Sequence, residues 1–244
     1  MPVEIEIAIV LVTLVASVVQ TIAGFGFSLL AVPVLSLLVE PAQAVVISAV
    51  LSFLNVARVS HVAREHTPWR IVGLLLVGSV IGLPLGMLVL LYASPEVLRL
   101  LVGLVAAVMA VAIGMGLRWS HSDLATGVTG FVAGVLSTST SINGPPIVLY
   151  LQATALGPAA FRAAMSNLLV LSGIFSLAGF VLAGVLGLAQ LGLVAFGVPS
   201  LFVGFWLGTR LLGHLDPERF RHFVLVLLAV MGSATAGIAL FRLI

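Results

Sequence analysis

The sequence predicts an all-α integral membrane protein built from two inverted repeats. Hydrophobic residues make up 61% of the chain and charged residues only 7%. The apolar character runs from end to end, and two apolar segments are interrupted in the same way. A soluble domain carries about 25% charged residues, whereas lipid accepts apolar side chains on the outside of a protein. We therefore expect residues 1–244 to form a single polytopic membrane domain.

The composition excludes several classes of function. The chain has no cysteine, so disulfides and thiolate metal sites are excluded. A net charge of +2 without a dense basic run does not indicate nucleic-acid binding. The sequence has no phosphate-binding loop and no cluster of carboxylates and histidines at membrane depth that would bind a metal. The sequence therefore predicts no cofactor, no metal and no nucleic-acid partner. It predicts that the lipid bilayer surrounds the protein.

Segments of about 20 apolar residues, the length of a transmembrane helix, divide the chain into eight blocks. Several blocks begin at a proline, which suits the first turn of a helix. The acidic N-terminus lacks the basic region of a secretory signal, so we expect the first block to stay in the mature protein. The eight blocks are Ile5–Val39, Pro41–Ala57, Trp69–Tyr92, Pro95–Leu117, Leu124–Leu156, Pro158–Val185, Leu188–Leu212 and Pro217–Leu243.

The first and fifth blocks are too long for one crossing, and each contains residues that disfavour helix. The first is interrupted at Ala23–Phe27 and the fifth at Ser137–Pro146, so the chain is expected to form up to ten helical pieces. In both halves an interrupted block precedes three ordinary helices. This order predicts an internal duplication, with repeats at about 5–118 and 122–243.

The arginine distribution indicates that each interrupted block is a hairpin that enters the membrane and returns. Cytoplasmic loops are enriched in basic residues. If each interrupted block crosses once, the ten arginines divide evenly between the two sides; the hairpin arrangement leaves only Arg99 and Arg242 outside. A hairpin plus three crossings is an odd number, so the halves are inverted, as in many secondary transporters. The charges do not distinguish hairpins that span the bilayer from hairpins that stop at its midplane.

The two interruptions are the candidate site for a solute. Irregular backbone inside a bilayer persists only where protein buries it or where it lines a watery cavity. Glycines permit close approach, hydroxyls and amides supply donors, and a short helix beginning near Pro145 would present N–H groups that favour an anion. The predicted substrate-binding residues are Gly24, Phe25, Gly26, Phe27, Ser139, Thr140, Ser141, Asn143, Gly144 and Pro145.

Other polar residues inside the blocks leave two interpretations open. Gln20, Asn55, Arg162 and Asn167 are candidates for the solute pathway. Hydrogen bonding between helices explains the two asparagines equally well, and Arg162 could snorkel to the cytoplasmic interface instead of guiding anions inward. Glycines at four-residue spacing are typical of helix packing, and we interpret five of them in this way: Gly78, Gly82, Gly86, Gly204 and Gly208.

Several short motifs run in order along the whole chain. Ala23–Phe27 is followed by Ala31-Val32-Pro33, and His66-Thr67-Pro68-Trp69-Arg70 precedes the third block. In the second half, Asn143-Gly144-Pro145-Pro146-Ile147-Val148 is followed by Phe161-Arg162-Ala163. Together these motifs resemble the TauE/SafE family of sulfite and organosulfur anion exporters. The resemblance implies a bacterial-type inner-membrane transporter, often of sulfite, sulfonates or related carboxylated anions.

We expect a secondary transporter that exports a small anion, such as sulfite, a sulfonate or a related organic acid, through a central site between the two interruptions. Because no buried acid or histidine provides a proton relay, the expected mode is uniport driven by the membrane potential. Coupling to a cation held by backbone carbonyls is an alternative. A non-transporting membrane scaffold subunit and a membrane enzyme are the other classes, although no base adjoins the hydroxyls of the second interruption. The oligomeric state, a homo-oligomer included, is left open.

Overall fold

The computed structural model describes residues 3–60, 64–116, 122–154, 156–211 and 217–243. Every regular element in these residues is helical, which confirms the predicted all-α class. Arg118, which entered the prediction of topology, lies outside the described residues. A 3-10 turn covers Arg64–His66, and the ten α-helices are α1 Val3–Ala23, α2 Phe27–Leu35, α3 Pro41–Ser60, α4 Trp69–Tyr92, α5 Pro95–Gly114, α6 Asp123–Ser139, α7 Gly144–Ala153, α8 Pro158–Leu182, α9 Leu188–Leu211 and α10 Pro217–Leu243.

The helices follow the predicted blocks closely. The bounds of α4 and α10 are those predicted, and the two interrupted blocks are the pairs α1–α2 and α6–α7. Proline is the first residue of α3, α5, α8 and α10, where its fixed φ suits the helix and its missing N–H leaves no bond unmade. Among the described residues, α1, α3, α4, α5, α8 and α9 are long and apolar enough to span a bilayer.

The helices α2 and α7 are too short to cross a bilayer. They have 9 and 10 residues, which corresponds to about 15 Å at a rise of about 1.5 Å per residue, roughly half of the hydrocarbon thickness. The hydroxyl of Tyr150, near the end of α7, hydrogen-bonds the hydroxyl of Thr126 in the first turn of α6. The second interrupted block is therefore a hairpin, with α7 returning toward the side where α6 begins.

The helices pack as two equivalent sets, with α1–α5 corresponding in order to α6–α10. Helix α4 packs along α6 as α9 packs along α1, and α4 contacts α8 as α9 contacts α3. The pairs α3–α8 and α5–α10, each made of two equivalent helices, also pack together. This pattern is the one expected of a duplicated chain. The inverted orientation of the halves in a membrane stays a prediction, and most of residues 118–122, where the repeats would join, lies outside the described residues.

Glycines bring helices of different halves to backbone contact. A Cβ added at Gly78, Gly82 or Gly86 of α4 would overlap the backbone of α6, and one added at Gly130 or Gly134 of α6 would overlap α4. We call this contact the α4–α6 seam. The equivalent α1–α9 seam contains Gly204, where an added Cβ would lie 2.6 Å from the Leu14 carbonyl oxygen, and Gly208. In lipid such close packing replaces the hydrophobic effect between helices, as the glycine spacing predicts.

Candidate functional site

Both interruptions contain a left-handed residue at an equivalent position. Gly24 has a φ of +82° and Ser141 a φ of +60°. The same 117 positions separate these two residues and separate Pro41 from Pro158, the first residues of α3 and α8. A left-handed conformation costs a residue other than glycine about 1–2 kcal/mol. Ser141 is therefore the strained member of the pair.

The two interruptions touch each other inside the protein. Ser28 Oγ, in the first turn of α2, lies 2.9 Å from Ser141 Oγ. A Cβ added at Gly144 would lie 3.2 Å from the Cβ of Phe25, so a larger residue at position 144 would require Phe25 to shift by a few tenths of an ångström. The small size of Gly144 thus fits the close approach of the two breaks.

A small cavity, which we call the central cavity, lies between the two interruptions. Its volume is about 20 Å³, which is room for about one water molecule. Gln20, Ser28 and Ser52 contribute polar groups to its wall. Seven residues of the predicted substrate-binding set line it as well: Phe25, Gly26, Phe27, Ser141, Asn143, Gly144 and Pro145.

A second cavity adjoins the central cavity through Gln20, which lines both. We call it the Arg162 cavity; its volume is about 50 Å³. It contains the remaining glycine of the first break and three of the four predicted pathway residues. Its lining consists of Gln20, Thr21, Gly24, Asn55, Val56, Arg162 and Ser166.

A third cavity adjoins the central cavity through Ser52, Ser141, Asn143 and Leu169, which line both. We call it the Ser176 cavity; its volume is about 30 Å³. Ser137 Oγ lies 2.8 Å from Ser176 Oγ in its wall, and the Asn143 amide Nδ2 donates to Ser137 Oγ at 3.3 Å. The three cavities are thus neighbours, and residues of both breaks line the central one.

Ser139 and Thr140 belong to the predicted set but line none of these three cavities. Their hydroxyls donate to carbonyl oxygens of their own helix, Ser139 to Val135 at 2.7 Å and Thr140 to Leu136 at 3.0 Å. The Ile142 N–H donates back to Thr140 Oγ1 at 3.3 Å. These two hydroxyls therefore shape the end of α6 and support the backbone of the break.

Gln20 and Asn55 line the cavities and also join helices. Asn55 Nδ2 donates to Gln20 Oε1 at 2.8 Å, and Gln20 Nε2 donates to Ser52 Oγ at 3.1 Å. Ser17 Oγ donates to Asn55 Oδ1 at 3.0 Å. The network connects α1 to α3 and so shows the hydrogen bonding between helices, whereas a role in the solute pathway stays a prediction.

Asn167 and Arg162, both on α8, have different surroundings. Asn167 Nδ2 donates to Thr67 Oγ1 at 2.8 Å and to the Ala163 carbonyl at 3.0 Å. It therefore fastens the segment before α4 to α8 and lines none of the three cavities. Arg162 is exposed, and its Nη2 donates to the Ile22 carbonyl at 3.2 Å. This carbonyl belongs to the last turn of α1, where helical partners are missing and a cation is favourable.

The site offers neutral donors to a ligand. They are the Ser141 hydroxyl, the Asn143 amide and the N–H groups of the first turn of α2, which have no partner within the helix. Helix α7 contributes less, because Pro145 and Pro146 carry no N–H. Uncharged donors beside a helix N-terminus suit an anion. The described part of the chain contains no group of three or more His, Cys, Asp or Glu side chains that could hold a metal.

Several hydroxyl residues that line the cavities were missing from the predicted set. Hydroxyl residues are common in membrane helices and usually bond their own backbone. Ser52 lies three positions before Asn55 and so on the same face of α3. A comparison of helix faces, rather than of the breaks alone, would therefore have indicated it. The missed hydroxyls are those of Thr21, Ser28, Ser52, Ser137, Ser166 and Ser176.

Comparison with known proteins identifies the family. The family described as "Sulfite exporter TauE/SafE" matches residues 9–235. A protein of Cupriavidus necator named "Probable sulfite/organosulfonate exporter TauE" is 25% identical over 225 residues, which cover 88% of this chain and 87% of that protein. No solved structure matches the chain. The chain therefore belongs to the TauE/SafE family and is a multi-pass membrane transporter, not an enzyme.

Proposed function

We propose that the protein is a secondary transporter that exports a small anion across the bacterial inner (plasma) membrane. Sulfite, a sulfonate or a related organic acid is the proposed substrate class, in agreement with the name of the Cupriavidus necator relative. The observation that carries the proposal is the meeting of two broken helices at a cavity lined by uncharged donors. Binding in the central cavity would use the Ser141 hydroxyl, the Asn143 amide and the first turn of α2.

The proposed driving force is the membrane potential. Among the described residues, no Asp, Glu or His lines the three cavities, and these residues therefore provide no proton relay of the usual kind there. Moving one elementary charge through 100 mV is worth about 2.3 kcal/mol. A cell interior that is negative therefore favours the exit of an anion without any coupled ion.

The proposed transport cycle opens the three cavities to one side of the membrane at a time. The three volumes of about 20, 30 and 50 Å³ hold from one to a few water molecules. A sulfite ion has four heavy atoms, so the cavities have to widen before the ion can pass. Narrow cavities beside the contact of Ser28 with Ser141 correspond to an occluded step of such a cycle.

The test is anion flux in proteoliposomes with an imposed potential, comparing wild type with Asn143→Leu and Ser139→Ala. Labelled sulfite, sulfoacetate and a control carboxylate are the substrates. Leucine keeps the approximate volume of Asn143 and removes its donors. A hydrogen bond to a charged group is worth about 1.5–3 kcal/mol, so we expect sulfite flux to fall at least about tenfold. Ser139→Ala removes a hydroxyl of the same break that lines none of the three cavities, and it should keep flux near the wild-type rate.

Three other results would change the proposal in different ways. Flux that ignores the potential but needs a proton or sodium gradient would keep the site and remove the uniport mechanism. Equal losses in both variants would show that Asn143 acts through the shape of the break and not by binding. No flux of any anion through folded wild-type protein would contradict the proposed substrate class and favour a scaffold role.

A further inference from the structure

The Arg162 cavity and the Ser176 cavity occupy equivalent places in the two halves. The shift of 117 positions that relates the two breaks also relates the walls of these cavities. Four residues of the Arg162 cavity have equivalents in the wall of the Ser176 cavity. Gln20 corresponds to Ser137, Gly24 to Ser141, Val56 to Gly173 and Ser166 to Ala49.

The same shift maps the central cavity onto itself. The equivalent pairs that line it are Phe25 with Ile142, Gly26 with Asn143, Phe27 with Gly144, Ser28 with Pro145 and Ser52 with Leu169. The central cavity therefore lies on the approximate two-fold axis that relates the halves, and the other two cavities lie on either side of it. If the halves are inverted, as the arginine distribution predicts, the two outer cavities are directed toward opposite faces of the membrane.

The two outer cavities differ in charge. Arg162 is exposed and lines one of them, whereas its equivalent, Val45, is fully buried and lines neither. Among the described residues, the wall of the Ser176 cavity contains no charged side chain. A guanidinium has five N–H donors, and the bond from Nη2 to the Ile22 carbonyl uses one of them. Arg162 can thus cap α1 and bind an anion at the same time.

We propose that the Arg162 cavity is a charged loading site and the Ser176 cavity a neutral release site, so that the transporter binds its anion more tightly from one face than from the other. This inference rests on the proposed anion transport. The arginine distribution places Arg162 on the cytoplasmic side, the side from which an exporter loads. Because Arg162 is exposed, solvent screens its charge, and we expect an affinity difference of about fivefold between the faces.

The experiment measures KM from each face separately, at zero membrane potential. The chain has no cysteine, so one cysteine introduced at the exposed Tyr92 lets an impermeant thiol reagent report the orientation of each preparation. The probe is labelled sulfite. At zero potential a uniporter cannot accumulate its substrate, so Vmax/KM has to be equal in both directions. A true difference in affinity must therefore appear as a lower KM from one face together with a proportionally lower Vmax.

Three variants separate the charge of Arg162 from its capping bond. Arg162→Gln removes the charge, and Arg162→Lys keeps it. Arg210→Gln removes another exposed arginine, which stacks on Trp206 at 4.2 Å and lines none of the three cavities. We expect wild type, Arg162→Lys and Arg210→Gln to show a KM about fivefold lower from the Arg162 face. In Arg162→Gln the two KM values should be nearly equal.

Several results would overturn the inference. Equal KM values on both faces of wild type, or an unequal pair that Arg162→Gln leaves unchanged, would show that Arg162 only caps α1. If Arg162→Gln does not fold, the salt dependence of wild type provides a second test. Raising the ionic strength from about 0.05 M to 0.5 M should bring the KM values of the two faces closer together, because salt screens the charge of Arg162. A ratio of the two KM values that does not change with salt would contradict the proposal. Wild-type protein without any sulfite flux would instead overturn the proposed function.

Discussion

Ser141 is the residue at which strain and the candidate site coincide. Its equivalent, Gly24, meets the same left-handed requirement without cost. A serine keeps a strained conformation when something else depends on its side chain, and the Ser141 hydroxyl contacts Ser28 across the two breaks. The strain is therefore consistent with a functional role for this hydroxyl.

Two substitutions at position 141 separate strain from hydrogen bonding. Ser141→Gly and Ser141→Ala both remove the hydroxyl, but only glycine relieves the left-handed backbone. We expect Ser141→Gly to be more stable than Ser141→Ala by about 1 kcal/mol, which should appear as a higher apparent Tm in detergent. Gly24→Ala is the matched control: an added Cβ would meet no atom within 4 Å, so any loss of Tm there reflects backbone conformation alone. Equal Tm values for the two Ser141 variants would contradict the interpretation of strain.

The sequence predicted the two helix breaks but could not distinguish the roles of the polar residues within them. Ser139, Thr140 and Ser141 are adjacent and chemically similar, yet only the last lines a cavity. The first two follow the helix and bond its carbonyls, whereas the left-handed turn at Ser141 directs its hydroxyl elsewhere. That difference depends on one backbone angle, which residue type does not determine.

At the scale of elements, prolines and chain breaks made the helix bounds predictable. Proline opens four helices at the predicted residues, and the interruptions are rich in glycine and hydroxyl residues that disfavour helix. The second interruption is narrower than the predicted Ser137–Pro146: α6 continues to Ser139, and α7 begins at Gly144, one residue before Pro145. Two prolines fit within the first turn of a helix, because neither N–H is needed there.

The α4–α6 seam predicts unequal effects for two glycines of one helix. A Cβ at Gly134 would overlap the Ser79 carbonyl, whereas a Cβ at Gly127 would meet nothing within 4 Å. Gly134→Ala should therefore force the helices apart and lower stability by about 1–3 kcal/mol. Gly127→Ala should keep or raise stability, by up to about 1 kcal/mol, through better helix propensity. Apparent Tm in detergent measures both, and a similar loss in the two variants would rule out backbone contact as the cause.

At the scale of the whole molecule, the cavity walls predict how transport responds to potential and pH. A uniporter of a monovalent alkanesulfonate should approach a gradient of about 50-fold at 100 mV, since about 2.3 kcal/mol corresponds to that ratio. Because the described residues that line the cavities include no acid or histidine, initial rates should not change between about pH 6 and 8. Flux assays with valinomycin-clamped vesicles measure both quantities. A rate that changes severalfold across this range would indicate a coupled proton.

The sequence predicted a duplication, but it did not predict the packing partners of each helix. Spacing of prolines and order of blocks relate the halves, and both are local features of the chain. The pairing of α4 with α6 and of α1 with α9 depends on which glycine faces meet, and several helices carry such faces. Only the folded arrangement resolves that choice.

The two seams also limit which bodies can move during transport. Each seam joins a helix of one half to a helix of the other, with glycines at van der Waals contact with the opposite helix. Moving one half of the chain relative to the other would separate the helices of both seams and lose their close backbone packing. We therefore expect the mobile units to differ from the two sequence halves. Helix α1 should move together with α9, and α4 together with α6, while Ser28 and Ser141 lie in contact between the two breaks.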